Sequence, residues 1–180
     1  MPEEKFVARI TAFDHTGLLD LWSDIEAGGT VDWPPGKAFE YLVLRALELD
    51  GASVRWPYSV TLEGAEAEQI DGVAYVDGLS CLIESKHYDR KVNVEPIAKL
   101  RNQLARRPAG TIGVVFSYQG FTRPAQTLCQ YVAPQTVLLW DGSEVKYALE
   151  KGTMVSGLRR KYEYAVEWGL PWYNLLEAEA

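Results

Sequence analysis

The spacing of hydrophobic and polar residues along the chain predicts an α/β protein. Apolar residues at helical spacing over 37–49 predict a helix that stops at Asp50-Gly51. The continuous apolar run over 111–117 is typical of a buried, parallel strand. Further helices are predicted over 18–25, 93–107 and 122–131, strands over 6–12 and 52–61, an acidic loop over 63–68 and a hairpin around Asp141-Gly142. The alternation of strands and helices after Asn93 predicts an α/β sandwich with a mixed central sheet.

An Asp-Gly pair at residues 77 and 78 lies between two runs of strand-forming residues and predicts a β-hairpin over 69–86 with a type I′ turn. This turn fixes the register, and Asp71 then lies directly opposite Glu84. Like charges at opposed positions are destabilising, and a divalent cation would relieve the conflict. Because side chains alternate along a strand, Lys86 shares the face of Glu84. The hairpin therefore predicts two acids and one lysine on one patch of sheet.

This acid pair with its lysine is the set of groups that metal-dependent phosphodiester hydrolysis requires. Mg²⁺ prefers oxygen ligands and is commonly held by one or two carboxylates together with waters and substrate phosphates. A lysine beside it can orient the attacking water or neutralise charge on the phosphate. The simpler alternative is that Glu84 and Lys86 form an ordinary exposed ion pair and that Asp71 only opens the hairpin, since so short a motif needs structural context.

The context is a resemblance over residues 36–150 to the PD-(D/E)XK nuclease superfamily, and within it to the catalytic domain of Mrr-like restriction endonucleases. The matching pieces occur in the family's order: Gly36-Lys-Ala-Phe-Glu40 at the start of a helix, Asp71, Glu84-Ser-Lys86, the apolar strand 111–117, and Gly120-Phe-Thr-Arg-Pro-Ala125 before another helix. Two positions depart from the family: members often carry Gln in place of Glu84, and Gln69 stands where a glycine is common. The resemblance implies a three-layer, restriction-endonuclease-like sandwich.

The resemblance also implies an activity, that of a Mg²⁺-dependent endonuclease of the restriction or defence type, which hydrolyses DNA and leaves a 5′-phosphate. Mn²⁺ would substitute for Mg²⁺. Asp71 and Glu84 would bind the metal together with the backbone carbonyl of Ser85, and Lys86 would position the attacking water. A Holliday-junction resolvase is an alternative enzyme, and a non-catalytic nucleic-acid-binding or assembly subunit is an alternative of another class.

Two further residues enter through the same resemblance. In such nucleases an acid on the first helix often reaches the metal, and Glu40 has the matching position, which makes it a candidate catalytic residue. An ordinary ion pair of Glu40 with Lys37, three residues earlier, is the competing interpretation. Gln103 is a weaker candidate for a residue near the phosphate.

The charge distribution favours a nucleic-acid partner more than the net charge of −7 suggests. The stretch from Lys86 to Arg107 has seven basic and two acidic residues, a local net charge of +5. We expect it to contact the phosphate backbone of DNA. The predicted nucleic-acid-binding residues are Arg90, Lys91, Lys99, Arg101 and Gln103, whereas a solvated helix face is the better interpretation for Arg106 and Arg107.

The 180 residues suffice for one domain, within which we distinguish an N-terminal extension (1–33), a nuclease core (34–150) and a C-terminal helical and aromatic extension (151–180). The aromatic tail 172–176 either folds back onto its own sheet or packs against a second copy. A homodimer is expected because double-strand cleavage needs two active sites. The residues before the core are too few for a separate DNA-binding domain. We therefore expect the core loops, the extensions or another protein to recognise the DNA.

Composition excludes several other classes of protein. No apolar run is long enough to span a membrane and the first residues do not resemble a signal peptide, so a cytoplasmic protein is expected. Two cysteines and two histidines give no basis for a disulfide framework or a zinc site.

Overall fold

A computed structural model describes residues 2–131 and 135–179. Its seven strands are β1 (Ser53–Arg55), β2 (Tyr58–Leu62), β3 (Ala65–Ile70), β4 (Gly72–Val76), β5 (Leu79–Lys86), β6 (Thr111–Ser117) and β7 (Val137–Asp141). Five of them form a central sheet in the order β1-β4-β5-β6-β7, antiparallel from β1 to β5 and parallel from β5 to β7. Strands β2 and β3 form a separate antiparallel hairpin that leads from β1 into β4.

Helices cover both faces of the central sheet. They are α1 (Pro2–Thr11), α2 (His15–Glu26), α3 (Lys37–Leu49), α4 (Val94–Leu104), α5 (Arg123–Tyr131), α6 (Gly142–Lys151) and α7 (Met154–Trp168), followed by a 3₁₀ turn at Leu175–Glu179. Side chains alternate along β5, so Cys81 and Ile83 pack with α1–α3, α6 and α7, while Leu82 packs with α4 and α5. The result is the predicted three-layer α/β sandwich with a mixed sheet.

The hairpin that carries the candidate acids has the predicted register. Val73 pairs with Leu82 and Val76 pairs with Leu79. Asp77 and Gly78 both have positive φ angles, of 50° and 82°, which is the conformation of a type I′ turn. Pairing ends at Gly72, so Asp71 lies just outside β4 at the level of Glu84.

Several predicted elements are wrong. Residues 6–11 of the predicted strand 6–12 are helical, because Phe6 and Ile10 lie one turn apart and both are buried. Residues 141–142 begin helix α6, since Asp141 forms a capping box with Glu144. The predicted strand 52–61 is two strands, β1 and β2, and most of the predicted acidic loop 63–68 belongs to β3.

The C-terminal tail folds back onto its own sheet, which was one of the two predicted alternatives. Tyr173 and Leu175 are buried in the larger core cluster. The N–H of Leu139 in β7 donates to the carbonyl of Pro171 (3.0 Å), and the Lys161 ammonium donates to the carbonyl of Leu139 (2.6 Å). That cluster also includes Phe6 and Ile10, so one core joins both extensions to the sheet.

Cys81 and Cys129 are buried on opposite faces of the sheet and form no disulfide with each other. Among the helices that the structure describes, none is long and apolar enough to cross a membrane.

Candidate active site

The two predicted acids meet at one end of β5. Glu84 is 1% exposed and Asp71 is 9% exposed. The N–H of Ser85 donates to Asp71 Oδ2 over 2.8 Å, which fixes the Asp71 carboxylate beside the strand. Burial, and then the charge of Glu84, raise the pKa of Asp71, with Lys86 and the Ser85 N–H opposing them. The like-charge conflict predicted from the register is therefore present.

The ammonium group of Lys86 lies among the oxygens of this acid pair. Its Nζ is 2.5 Å from Glu84 Oε1 and 3.3 Å from the Ser85 carbonyl oxygen. Burial alone would lower the pKa of Lys86, but the carboxylates of Glu84 and Asp71 outweigh burial and raise it. Lys86 is therefore a cation held by two of the three predicted metal ligands.

A second lysine, on helix α4, contacts the same carboxylate. Lys99 in α4 places Nζ 3.2 Å and 3.3 Å from the two oxygens of Glu84. Its side chain is 49% exposed, against 18% for Lys86. Glu84 thus has two ammonium partners, one enclosed and one open to solvent.

Glu40 forms the ion pair with Lys37 and is also influenced by the charge of Asp71. Its carboxylate accepts from Lys37 Nζ over 2.7 and 2.9 Å, as an ordinary helical pair would. It is also 7% exposed, and burial followed by the charge of Asp71 raises the pKa of Glu40 to about 7 against the opposing effect of Lys37. Glu40 therefore belongs electrostatically to the acid cluster.

Two glycines let the flanking helices pack closely on the sheet near the acids, Gly72 in β4 and Gly113 in β6. A Cβ atom at Gly72 would lie 2.5 Å from the Leu44 side chain of α3. A Cβ atom at Gly113 would lie 2.7 Å from the Leu100 side chain of α4. Both helices can therefore pack closely on the sheet, which brings Glu40 and Lys99 to it from opposite faces.

A cleft of about 430 Å³ opens beside Glu84 and Lys86. The segment after β5 forms one wall and is fastened to the loop after β6, because the Val92 N–H donates to the Gly120 carbonyl and the Thr122 N–H to the Val92 carbonyl. Basic and aromatic side chains line the cleft, among them Tyr88, Arg90, Lys91 and Lys99. The charged lining of the cleft is thus mainly basic, and it includes Glu84 of the acid pair.

The remaining predicted residues are placed differently. Arg101 is not among the residues that line this cleft, and the Gln103 amide is buried and donates to the Gln69 carbonyl over 3.2 Å. Arg106 and Arg107, predicted to be solvated, both pair with Glu68 on β3. This clamp was missed because it joins segments about 40 residues apart, with only the signs of the charges as a signal.

His87 and Phe121 have packing roles. The His87 ring contacts the rings of Phe39 and Tyr118, on the face of the sheet opposite Glu84, and burial lowers the pKa of His87. Phe121 is buried in the core beneath α4 and α5. Tyr88 remains 43% exposed.

The donor set suits a hard divalent cation that keeps part of its water shell. Within residues 2–131 and 135–179, no three His, Cys, Asp or Glu side chains are close enough to hold a metal by themselves. Two carboxylates and one backbone carbonyl remain at this end of β5, and Mg²⁺ typically takes one or two carboxylates with water and phosphate oxygens. The Lys86 ammonium already contacts Glu84 and the Ser85 carbonyl, which shows that these oxygens accept a cation.

A mixed sheet with paired acids and a lysine at the end of one strand defines a nuclease fold of the restriction endonuclease type. The family model for the catalytic domain of Mrr-like proteins, described as restriction endonuclease, matches residues 33–149. The chain belongs to this family, whose members are nucleases that act on DNA. No curated protein matches the chain.

Solved structures resemble the chain at low sequence identity. AF1548, a protein of unknown function, is 21% identical with a TM-score of 0.51, over 73% of this chain and 77% of that one. The DNA modification-dependent restriction endonuclease AspBHI is 15% identical and the MspJI restriction endonuclease, solved in complex with a 27-mer oligonucleotide, is 20% identical, each with a TM-score of 0.47. They align with 82% and 87% of this chain but with 38% and 36% of their own lengths. This chain therefore spans little more than a third of those two enzymes.

Proposed function

We propose that the chain is a Mg²⁺-dependent endonuclease that hydrolyses phosphodiester bonds of DNA, with a role in restriction or defence. One observation carries the proposal. Glu84, which is almost fully buried, is held at the end of a cationic cleft by two lysines and lies beside a second buried acid, Asp71. Two buried carboxylates that repel each other can bind a divalent cation, and the basic side chains of the adjacent cleft can bind phosphate groups. This arrangement matches the requirements of the reaction.

In this proposal Asp71, Glu84 and the Ser85 carbonyl hold the metal, with Mn²⁺ as a substitute for Mg²⁺. A bound divalent cation would activate water and neutralise charge on the scissile phosphate. Lys86, which lines the cleft beside Glu84, would direct its ammonium toward the attacking water and the phosphate oxygens. Glu40 completes the acid cluster from α3 and accepts a hydrogen bond from water in the site.

Arg90, Lys91 and Lys99 are proposed to hold the DNA backbone, since all three line the cleft. Tyr88, which lines the same cleft and is exposed, is proposed to stack on a base or sugar. Gln103 has its amide hydrogen-bonded to β3, and we propose that it supports the position of Asp71 through that strand.

A plasmid cleavage assay tests the proposal. The purified protein should cut supercoiled DNA with Mg²⁺ or Mn²⁺ and fail to cut with EDTA. Asp71→Asn should reduce cleavage at least about 100-fold, and calorimetric titration should show weakened Mn²⁺ binding. The variant should unfold at the same temperature as the wild type or higher without metal, because removal of one charge relieves the conflict with Glu84.

Asp20→Asn, an exposed substitution on α2, is the matched control and should cut like the wild type. Equal cleavage by Asp71→Asn and the wild type would place the active site elsewhere. A strong preference for four-way junctions over linear duplexes would instead identify a junction resolvase.

We also propose that the active form is a homodimer, because cleavage of both strands needs two sites related by the dyad of the duplex. Sedimentation in the presence of duplex DNA and Ca²⁺ tests this. A monomer that nicks one strand would contradict it.

A further inference from the structure

The cation of Lys99 is more than a DNA contact, because it is bound to the acid that the proposed metal needs. Its two hydrogen bonds engage both oxygens of Glu84. Its field also reaches Asp71, where it lowers the pKa that burial and Glu84 raise. Lys99 therefore helps to balance the charge of the acid pair while the metal is absent.

Lys99 could form an ordinary surface ion pair with Glu95, but no such pair forms among the described residues. Glu95 lies four residues earlier in α4, the spacing and order at which Glu and Lys commonly pair on a helix. Lys99 instead pairs with Glu84 on β5. The Glu84 carboxylate, which is 1% exposed, attracts the ammonium more strongly than Glu95 would, because the interaction of charges is stronger where less water screens them.

The backbone of Lys99 is held in place by the packing of its helix, while its side chain is partly exposed to solvent. Pro96, Ile97 and Leu100 of the same helix are buried against the sheet, and Gln103 ties the end of the helix to β3. Both lysines line the cleft, but the Lys99 side chain is 49% exposed and the Lys86 side chain only 18%. Of the two lysines on Glu84, Lys99 therefore has the more exposed side chain and the more room to move into the cleft.

We propose that Lys99 is a second active-site cation, held on Glu84 before metal binds and transferred to a non-bridging oxygen of the scissile phosphate once Glu84 coordinates the metal. This inference rests on the proposed function. The transfer moves a charge and two hydrogen bonds, with no proton exchanged. Its driving force is electrostatic, since the neutralised Glu84 attracts the ammonium less and the phosphate attracts it more.

Loss of the Lys99 charge should have two opposite effects: it should improve metal binding and impair cleavage. Lys99→Met keeps the apolar stem and removes the charge that competes with metal for Glu84. Calorimetric titration with Mn²⁺, without DNA, should show several-fold tighter binding than for the wild type. Cleavage of plasmid at saturating Mn²⁺ should fall at least about tenfold, because the phosphate loses a contact in the transition state.

Two further variants complete the experiment. Lys99→Arg keeps a charge and should recover part of the cleavage. Lys91→Met removes a cation that lines the same cleft, so it should weaken duplex binding measured in Ca²⁺ and leave Mn²⁺ affinity unchanged.

The proposal is overturned if Lys99→Met behaves like Lys91→Met, with weaker duplex binding and unaltered Mn²⁺ affinity, because Lys99 would then be an ordinary phosphate contact. It is equally overturned if Lys99→Met matches the wild type in both titration and cleavage. In either case the proposed nuclease function still holds if the wild-type protein cuts DNA. A wild type that neither binds Mn²⁺ nor cuts overturns both.

Discussion

Two buried glutamates, each with a lysine ammonium 2.5 Å away, define two different kinds of site in this molecule. Glu144 on α6 accepts from the backbone N–H groups of Asp141 and Leu175 as well as from Lys161. Lys161 in turn donates to two backbone carbonyls, so every polar group of this pair is committed to the fold. Glu84, by contrast, has only lysine side chains as partners within the described part of the chain, and it faces a cleft.

The difference shows that burial and distance do not by themselves distinguish a structural ion pair from a functional one. A carboxylate whose partners are backbone amides can exchange none of them without disturbing an element of the fold. A carboxylate whose partners are side-chain ammonium groups can exchange them for another cation. On this criterion Glu144 with Lys161 is a closed pair and Glu84 with its lysines is an open one.

The largest expected effect comes from breaking the closed pair. Lys161→Met leaves the Glu144 charge buried without its counter-ion, and loss of one partner of a buried pair typically costs about 3–5 kcal/mol of folding stability. Urea denaturation monitored by tryptophan fluorescence measures this loss. Glu144→Gln combined with Lys161→Met should recover part of it, because no unpaired charge remains.

Lys86→Met is the matched variant of the open pair and should lose clearly less stability, since Lys99 still neutralises Glu84. Equal losses for Lys86→Met and Lys161→Met would remove the distinction between open and closed pairs.

A smaller effect, now on catalysis, comes from Lys86→Ala. The cation acts on charge that develops in the transition state, so cleavage should fall about 100-fold or more, equivalent to ~2.7–4 kcal/mol. Duplex affinity in Ca²⁺, measured by fluorescence anisotropy, should change little, because Arg90 and Lys91 still contact the backbone. Proportional losses of binding and cleavage would make Lys86 a phosphate anchor and contradict its role toward the water.

The smallest effect concerns a third buried pair, Glu40 with Lys37, which is intermediate because Glu40 also faces Asp71. Burial and Asp71 raise the pKa of Glu40 from 4.5 to about 7, so the folded protein retains a proton that the unfolded chain releases near 4.5. Stability of the metal-free protein should therefore decrease as pH rises from about 4.5 to 7, by an amount on the order of 1–3 kcal/mol.

Glu40→Gln should reduce this decrease, and the raised pKa of Asp71 should leave a residual slope of the same sign. Urea denaturation in EDTA at a series of pH values gives both slopes. Identical slopes for the variant and the wild type would separate Glu40 from the acid cluster.

Two Asp-Gly pairs show where local sequence was sufficient and where it was not. At residues 77 and 78 the pair forms the predicted turn, and that turn brings Asp71 level with Glu84 and puts Lys86 beside it. At residues 141 and 142 the same dipeptide begins a helix, because Glu144 completes a capping box with Asp141. The deciding residue lay two positions beyond the pair and was visible in the sequence.

The rest of the site could not be predicted from local patterns. Lys99 contacts Glu84 across 15 residues of sequence, and the Arg106 and Arg107 clamp on Glu68 spans 38 and 39 residues. These contacts depend on how closely α4 packs on the sheet. Gly113 permits that packing, but a glycine within an apolar strand does not indicate which helix will pack against it.

The return of the C-terminal tail has a consequence for how copies of this protein can associate. β7 is the last strand of the sheet, and such an edge usually offers unpaired N–H and C=O groups to any other extended chain. Here the Leu139 N–H is taken by Pro171, its carbonyl by Lys161, and the Asp141 N–H by Glu144. The tail therefore shields this edge from strand-to-strand aggregation, and two copies cannot associate by extending the sheet at β7 while the tail stays in place.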